Sequence, residues 1–270
     1  MSEQRKSRKK QVSAGRQFLC WSLCYTICFV LLALIIWQPF YREGRSFIWG
    51  YDGLYQTYTA MQYYSRYWKE FFSSVLAGHP SLPMVDSTVG LGFDVFTSLN
   101  HYGFGDPLQL VSLLFTEETM EVGYAFLTLL RFYLAGLAFG AYAMFVTERK
   151  RAILPLLAGA ISYCFCGFAL YAGVRHPYFM NSLIYLPLLL LGAERILQGK
   201  RGTLLTLMVA VAACSDFYFL YILTFLTFSY ALVRYFCRYA CVPRGMGEKR
   251  GKEEEKGERK GKEREEREGR

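Results

Sequence analysis

The chain has 270 residues, of which 53% are hydrophobic and 17% aromatic, and its formal net charge is +9. The apolar residues are gathered into long runs that carry few charges, which is typical of membrane proteins and excludes an ordinary soluble domain. The positive charge lies at the chain ends and in short loops and comes without an RNA- or DNA-binding motif. It therefore indicates membrane topology, and no nucleic-acid partner is expected.

The first segment, residues 1–17, is polar and basic, with six Lys or Arg side chains against one acid, Glu3. Residues 18–37 follow as an uncharged apolar run, close to the ~20 residues that a helix needs to cross the hydrocarbon core. The run ends at Trp37 without the small residues of a signal-peptide cleavage site. We therefore expect an uncleaved first membrane helix with a cytoplasmic N-terminus.

A long loop, residues 41–121, is expected on the outer side of the membrane. A helix is predicted from Asp52, as its N-cap, to a stop at Gly78, lying in the membrane interface. Asp106 before Pro107 predicts the cap and first residue of a second, short helix. The loop holds four aspartates and two of the three histidines, so any chemistry is expected here: Asp52, Asp86, Asp94, Asp106, His79 and His101.

Beyond the loop, the apolar runs predict five further spans, which gives an all-α, polytopic membrane helix bundle of about six transmembrane helices. Asp216 is expected to divide the last run into two helices and to cap the second of them. After the membrane domain, residues 18–243, a tail of Gly, Glu, Lys and Arg over residues 244–270 cannot bury apolar surface and is expected to be disordered. The five spans are 122–146, 152–173, 178–197 and two within 203–236.

Several short motifs occur in a fixed order between about Trp49 and Tyr221. In order and spacing they resemble the N-terminal part of the YfhO family of bacterial integral membrane proteins. Members of that family are much longer, so the chain is expected to be a truncated fragment. The motifs are Asp52-Gly53-Leu54-Tyr55-Gln56, Gly90-Leu91-Gly92-Phe93-Asp94, Tyr102 with Asp106-Pro107-Leu108, Leu130-Arg131, His176-Pro177 and Asp216-Phe217-Tyr218-Phe219.

The resemblance implies a glycosyltransferase of the GT-C type in the bacterial plasma membrane. Such an enzyme takes a sugar from a polyprenyl-phosphate carrier and adds it to an acceptor outside the membrane. The acceptor expected for this family is lipoteichoic acid or a related envelope polymer. The expected partners are therefore membrane lipid, the lipid-linked sugar and the polymer.

The resemblance also implies roles for the loop acids. A first-loop aspartate is the usual candidate for the catalytic base, which assigns that role to Asp52; the alternative is an ordinary helix cap. Asp94 and Asp106 are expected to join Asp52 around Mg²⁺ or Mn²⁺, because these ions prefer oxygen ligands. For Asp106, a role as a helix cap is an equal alternative.

The substrate-binding candidates come from three further places. Arg131 lies inside an apolar run, so it either holds the carrier's phosphate or pairs with an aspartate of the loop. Arg175 and His176, in a predicted outer turn, are a second candidate phosphate clamp, and the alternative is a solvated turn. Gln56 lies one turn after Asp52, and His101 is either a phosphate or substrate ligand or a surface group.

Two other functions remain open from the sequence. A transporter or flippase for lipid-linked sugar would carry charges deep along several spans, whereas most acids of this chain lie in the loop or the tail. A non-catalytic membrane fragment or partner subunit would agree with the short chain and its charged tail.

Overall fold

The computed structural model describes residues 2–90, 92–147 and 153–237, with side chains from residue 15 onward. By its internal contacts the chain divides into two units, Met1–Thr227 and Phe228–Arg270. The described part of the second unit contains the end of the last helix. The tail predicted over residues 244–270 lies outside the described residues.

The described ranges contain nine α-helices, two short strands and several tighter or wider helical turns. The α-helices are α1 (Ser2–Ile36), α2 (Gln38–Arg42), α3 (Thr59–Leu76), α4 (Val95–Leu99), α5 (Met120–Val146), α6 (Ile153–Cys164), α7 (Met180–Leu197), α8 (Thr203–Ser215) and α9 (Phe217–Tyr235). Strands β1 (Val85–Asp86) and β2 (Phe93–Asp94) pair antiparallel. The remaining segments are π-helices at Gly53–Tyr58 and Ala169–Gly173 and 3₁₀-helices at Asn100–Tyr102, Pro107–Leu114 and Pro177–Phe179.

Four helical stretches in the described part of the chain are long and apolar enough to cross a membrane: Gly15–Ile36, Met120–Val146, Pro177–Leu197 and Phe217–Tyr235. Two further apolar helices, α6 and α8, have 12 and 13 residues. They are shorter than the ~20 residues of a full span. The all-α, polytopic membrane architecture is therefore confirmed, although two of the six predicted spans are short helices.

The third predicted span, residues 152–173, is not one continuous helix. Helix α6 ends at Cys164, and the chain re-forms as a π-helix at Ala169–Gly173 after a turn. At the turn, the Phe165 ring packs against Phe29, Trp37 and Phe132. Hydropathy is continuous across this stretch, so the break depends on tertiary packing that the sequence pattern does not reveal.

Helix α1 packs an aromatic stripe against the rest of the bundle. Trp21, Tyr25 and Phe29 recur at four-residue intervals and are buried, as is Trp37 directly after the helix, whereas Leu19, Leu23, Ile27, Leu31 and Ile35 are exposed. Such spacing places one face of a helix on its neighbours and leaves the other for lipid. Helix α5 accommodates the rings with glycine, because a Cβ at Gly136 would overlap Tyr25 and one at Gly140 would overlap Trp21.

The long loop folds back onto the bundle instead of lying free. Helix α3 packs on the 3₁₀-helix Pro107–Leu114, which in turn packs on α5. A separate hydrophobic cluster inside the loop, Tyr64, Tyr67, Val95 and Phe104, joins α3 to α4. The loop therefore carries its own small core, and its polar residues are held at fixed positions relative to α5.

The break between α8 and α9 is also tied to the loop. Asn100 donates from Nδ2 to the Cys214 carbonyl oxygen at 3.1 Å and accepts at Oδ1 from the Phe217 amide at 2.9 Å. One side chain thus satisfies a donor and an acceptor that the interrupted helix leaves open, as non-helical backbone in a membrane protein requires. The division at Asp216 agrees with the sequence prediction.

The close contact of α1 with α5 gives a first testable prediction. Gly140→Ala forces a methyl group into the fully buried Trp21 ring and should destabilise the protein by about 1–3 kcal/mol, as overpacking does. Gly167→Ala, where a Cβ meets nothing within 4 Å, is the matched control and should change stability little. Unfolding by SDS titration in mixed micelles measures both, and equal midpoints for the two variants would contradict the packing described.

Candidate functional site

A buried ion pair joins the loop to the membrane helices. Arg131 Nη2 lies 2.6 Å from Asp106 Oδ2, and the two side chains are 2% and 0% exposed. Arg131 is the twelfth residue of α5, about 16 Å from the start of that helix at 1.5 Å per residue. A charge at that depth is costly unless it is paired, and the loop supplies the partner.

The remaining hydrogen-bonding capacity of the pair is used within the protein. Arg131 donates from Nε to Asn181 Oδ1 at 3.0 Å and from Nη2 to Gln109 Oε1 at 3.1 Å. Asp106 Oδ1 accepts from the Leu108 amide at 2.9 Å, which caps the 3₁₀-helix as the sequence predicted. Tyr185 donates to the same oxygen at 3.4 Å.

Of the two roles expected for Arg131, this geometry favours the structural one. Its guanidinium faces Asp106, Gln109 and Asn181, and the neighbouring cavity measures about 10 Å³, room for roughly one water. A lipid phosphate could reach Arg131 only if the loop moved away. Arg131 therefore anchors the loop through its pair with Asp106.

Asp52 lies half-buried at the beginning of the loop helix, but it is not the N-cap that the sequence predicted. Its backbone is already helical, and its side chain makes no capping bond. The first helical turn begins earlier, where the Leu54 amide donates to the Trp49 and Tyr51 carbonyl oxygens. The carboxylate instead accepts from Gln56 Nε2 at 3.1 Å. The carboxylate therefore does not cap the helix.

Gln56 connects Asp52 to a second part of the loop. While its amide donates to Asp52, its Oε1 accepts from the Tyr102 hydroxyl at 3.3 Å. The sequence places Gln56 one helical turn after Asp52, and this hydrogen bond brings the two side chains together. Tyr102 is followed by Gly103, whose φ of +75° permits the sharp turn that leads the chain down to Asp106.

Arg175 and His176 lie beside the same residues. A Cβ at Gly53 would come within 3.8 Å of the Arg175 carbonyl oxygen, so the two backbones approach closely. The Arg175 guanidinium stacks over Tyr171 at 3.9 Å and over Trp49 at 4.9 Å. Burial lowers the pKa of His176, and the Asp52 carboxylate opposes that shift, which places the imidazole within electrostatic reach of Asp52.

These residues form a group that we call the Asp52 cluster: Asp52, Gln56, Tyr102, Arg175 and His176. The structure thus brings the predicted catalytic residue together with three of its predicted substrate-binding residues. His101 adjoins the cluster through ring contacts with Tyr102 and Tyr178, and its Nδ1 lies 3.7 Å from Asp216 Oδ2.

The acids expected to hold a divalent ion are committed to other contacts. Asp94 Oδ1 caps α4 by accepting from the Thr97 amide at 2.7 Å, and hydrogen bonds from Thr97 lower its pKa. Asp106 is paired with Arg131. Within the described residues, no three His, Cys, Asp or Glu side chains come together as a metal site. Asp94 and Asp106 are therefore not arranged to bind Mg²⁺ or Mn²⁺ together with Asp52.

Sequence reasoning gave no role to several residues that build this region. Asn100, Gln109, Asn181 and Asp86 have no charge pattern or motif of their own. Gln109 and Asn181 nevertheless accept from the buried Arg131, and Asn100 bonds to the backbone at the break between α8 and α9. Asp86 accepts from Tyr63 at 2.7 Å and from Thr88, which lowers its pKa and fixes the turn before β2. Asn181 was detectable in principle, because it is a polar residue inside an apolar span.

The buried pair makes a second prediction. Asp106→Asn or Arg131→Met leaves a buried charge without its partner and should cost about 3–5 kcal/mol. The double variant should lose less than the sum of the two, since neither charge remains alone. Arg45→Met is the control, because Arg45 and Glu43 form an exposed pair that is worth about 0–1 kcal/mol. Additive losses in SDS titration would contradict the coupling.

Comparison with known proteins gives one family. The model of the family described as bacterial membrane protein YfhO matches residues 25–252, which is most of the chain and includes every residue of the Asp52 cluster. No curated protein and no solved structure matches significantly. The long loop, the buried Arg131 and the set of apolar helices therefore occur here in a chain that belongs to the YfhO family of bacterial membrane proteins.

Proposed function

We propose that the chain carries the reaction centre of a membrane glycosyltransferase of the GT-C type, which moves a hexose from a polyprenyl-phosphate carrier to an envelope polymer such as lipoteichoic acid. The observation that carries the proposal is the Asp52 cluster, in which a carboxylate that makes no helix-capping bond lies within electrostatic reach of His176, and the Arg175 backbone approaches the neighbouring Gly53. Membership of the YfhO family supports a membrane location. In this proposal the cluster faces the outside of the plasma membrane, and the N-terminus is cytoplasmic.

Asp52 is the proposed general base. Sugar transfer needs a group that takes the proton of the acceptor hydroxyl while that oxygen attacks the anomeric carbon. Asp52 is half-buried, and Gln56 fixes its orientation through a single hydrogen bond at 3.1 Å. In this proposal the acceptor reaches this carboxylate from the outer aqueous side while the donor remains in the bilayer.

Arg175 and His176 are the proposed phosphate contacts. The Arg175 guanidinium stacks on Trp49 and Tyr171, and the N–H groups of a guanidinium match phosphate oxygens. The imidazole Nδ1 of His176 is buried without a hydrogen-bond partner among the described residues. A carrier phosphate bound here would satisfy it and would lie near Asp52.

Two alternatives make different predictions. A flippase would move the lipid-linked sugar across the bilayer without breaking the bond between sugar and phosphate. A non-catalytic partner subunit would bind the carrier and release nothing. The depth of Arg131 does not favour a transport path, because its charge is balanced by Asp106 and enclosed by the protein.

The proposed base gives a third prediction. In proteoliposomes supplied with radiolabelled polyprenyl-phosphate glucose or N-acetylglucosamine and lipoteichoic acid, Asp52→Asn should lower transfer by about 10²–10⁴-fold, the usual contribution of a positioned base. Donor binding, measured by photo-crosslinking, should change little because the amide keeps the side chain's shape. Glu70→Gln, an exposed acid-to-amide change on α3, is the control and should retain full transfer.

The outcomes separate the possible functions. Unchanged transfer by Asp52→Asn would remove Asp52 as the base. Donor that crosses the bilayer intact in the wild-type vesicles would support the flippase, and donor that binds without reacting would support the partner subunit. A wild-type protein that neither binds nor consumes either donor would overturn the proposed function.

A further inference from the structure

Asp216 does more in this fold than cap α9. Its Oδ1 accepts from the Tyr218 amide at 2.8 Å and from the Phe219 amide at 3.4 Å, so the predicted cap is confirmed. The residue is 4% exposed, and its Oδ2 has no hydrogen-bond partner among the described residues. One oxygen therefore completes the cap, while the other is buried without a donor.

The unpartnered oxygen faces a histidine. His101 Nδ1 lies 3.7 Å from Asp216 Oδ2, which is within ion-pair distance but beyond a hydrogen bond. Burial raises the pKa of the Asp216 carboxyl, and His101 opposes that shift. Burying a carboxylate without a donor costs free energy, and the imidazole of His101 is the nitrogen group that lies next to this oxygen.

The orientation of His101 is fixed from several sides. The side chain is 49% exposed, and its ring contacts Tyr102, Tyr178, Phe179 and Tyr218 with centroid distances between 5.6 and 6.3 Å. Its neighbour Asn100 is bonded to the backbone on both sides of Asp216. Because Nδ1 faces Asp216, the other ring nitrogen, Nε2, is directed away from that carboxylate.

His101 also belongs to the surroundings of Asp52. His101 acts to lower the pKa of His176 and Asp52 acts to raise it, so both lie within electrostatic reach of His176. Tyr102, next in sequence, donates to Gln56, which holds Asp52. The titratable or charged groups that face His101 are Asp216, His176, Tyr102, Tyr178 and Tyr218.

We propose that His101, oriented by Asp216, donates a proton to the phosphate oxygen that leaves the sugar. This inference rests on the proposed sugar transfer and adds the acid that the reaction needs beside its base. His101 is the catalytic residue in this pair, because it would touch the phosphate. Asp216 is a positioning residue that acts through His101.

The step balances without an oxidant or reductant. The acceptor oxygen forms a bond to the anomeric carbon and gives its proton to Asp52. The bond from that carbon to the phosphate oxygen breaks, and its electron pair stays on the oxygen, which takes the proton from His101 Nε2. Exchange with water restores both side chains, so the net change moves one proton from the acceptor to polyprenyl phosphate.

The test is the pH profile of transfer in the same proteoliposomes with polyprenyl-phosphate glucose or N-acetylglucosamine. Wild-type kcat should fall as pH rises through the range where imidazoles lose their proton, because the neutral ring has nothing to donate. His101→Gln should lower kcat by about 10²-fold with little change in KM and should abolish this basic limb. His79→Gln, at an exposed histidine of the same loop, should leave the profile intact.

The Asp216→Asn variant tests whether Asp216 positions His101 or only supports the fold. Asparagine is also a good helix cap, so α9 and the unfolding midpoint should be retained. The basic limb should move to lower pH, because the buried negative charge no longer stabilises the protonated ring. A loss of stability with an unmoved limb would mean that Asp216 is structural only and would overturn the inference.

Different results separate a wrong assignment of His101 as the acid from a wrong assignment of sugar transfer. If His101→Gln keeps the wild-type kcat and its basic limb while Asp52→Asn is inactive, the acid assignment is wrong and sugar transfer stands. If the wild-type protein consumes neither donor, both are wrong.

Discussion

The pairing of Arg131 with Asp106 is the contact on which the rest of this structure depends. An arginine buried in the middle of an apolar helix is tolerable only when its charge is balanced, and here the balance comes from a distant loop. The pair thus fixes where the loop meets α5. Because Tyr102 and Asp106 belong to one tight segment, the same contact sets the position of the Asp52 cluster.

The cluster is assembled from chain segments that meet only in three dimensions. Asp52 and Gln56 begin the loop helix, Tyr102 comes from the turn before Asp106, and Arg175 and His176 precede α7. Asn100 holds the α8–α9 break against the same turn. Four separate parts of the chain therefore converge at one end of the bundle, which gives a fixed polar surface above apolar helices.

Much of the fold follows from the sequence because hydropathy and capping are local. The apolar runs located the membrane helices, Asp106-Pro107 located the 3₁₀-helix, and Asp216 located the last helix break. The interruption after Cys164 was not predictable, because it depends on Phe165 packing among rings from α1 and α5. Asp52 was wrongly expected to cap a helix, since the residues before it already make the first turn.

For the candidate site, the sequence identified residues more readily than their partners. It left Arg131 with two roles, and only the structure shows that Asp106, Gln109 and Asn181 surround it. The sequence grouped Asp94 and Asp106 as metal ligands because Mg²⁺ and Mn²⁺ prefer oxygen ligands. In the structure Asp94 accepts from the Thr97 amide, and Asp106 pairs with Arg131. Such choices depend on tertiary distances, which residue type and spacing do not encode.

In the proposed function, the end of the bundle that bears the Asp52 cluster faces the outside of the cell. The direct measurement is cysteine labelling in intact cells, in a background without native cysteines, at Tyr51→Cys beside Asp52 and at Lys200→Cys beyond the far end of α7; both positions are exposed. A membrane-impermeant maleimide should label Tyr51→Cys in intact cells and Lys200→Cys only after permeabilisation. Labelling of Tyr51→Cys only after permeabilisation would contradict the account.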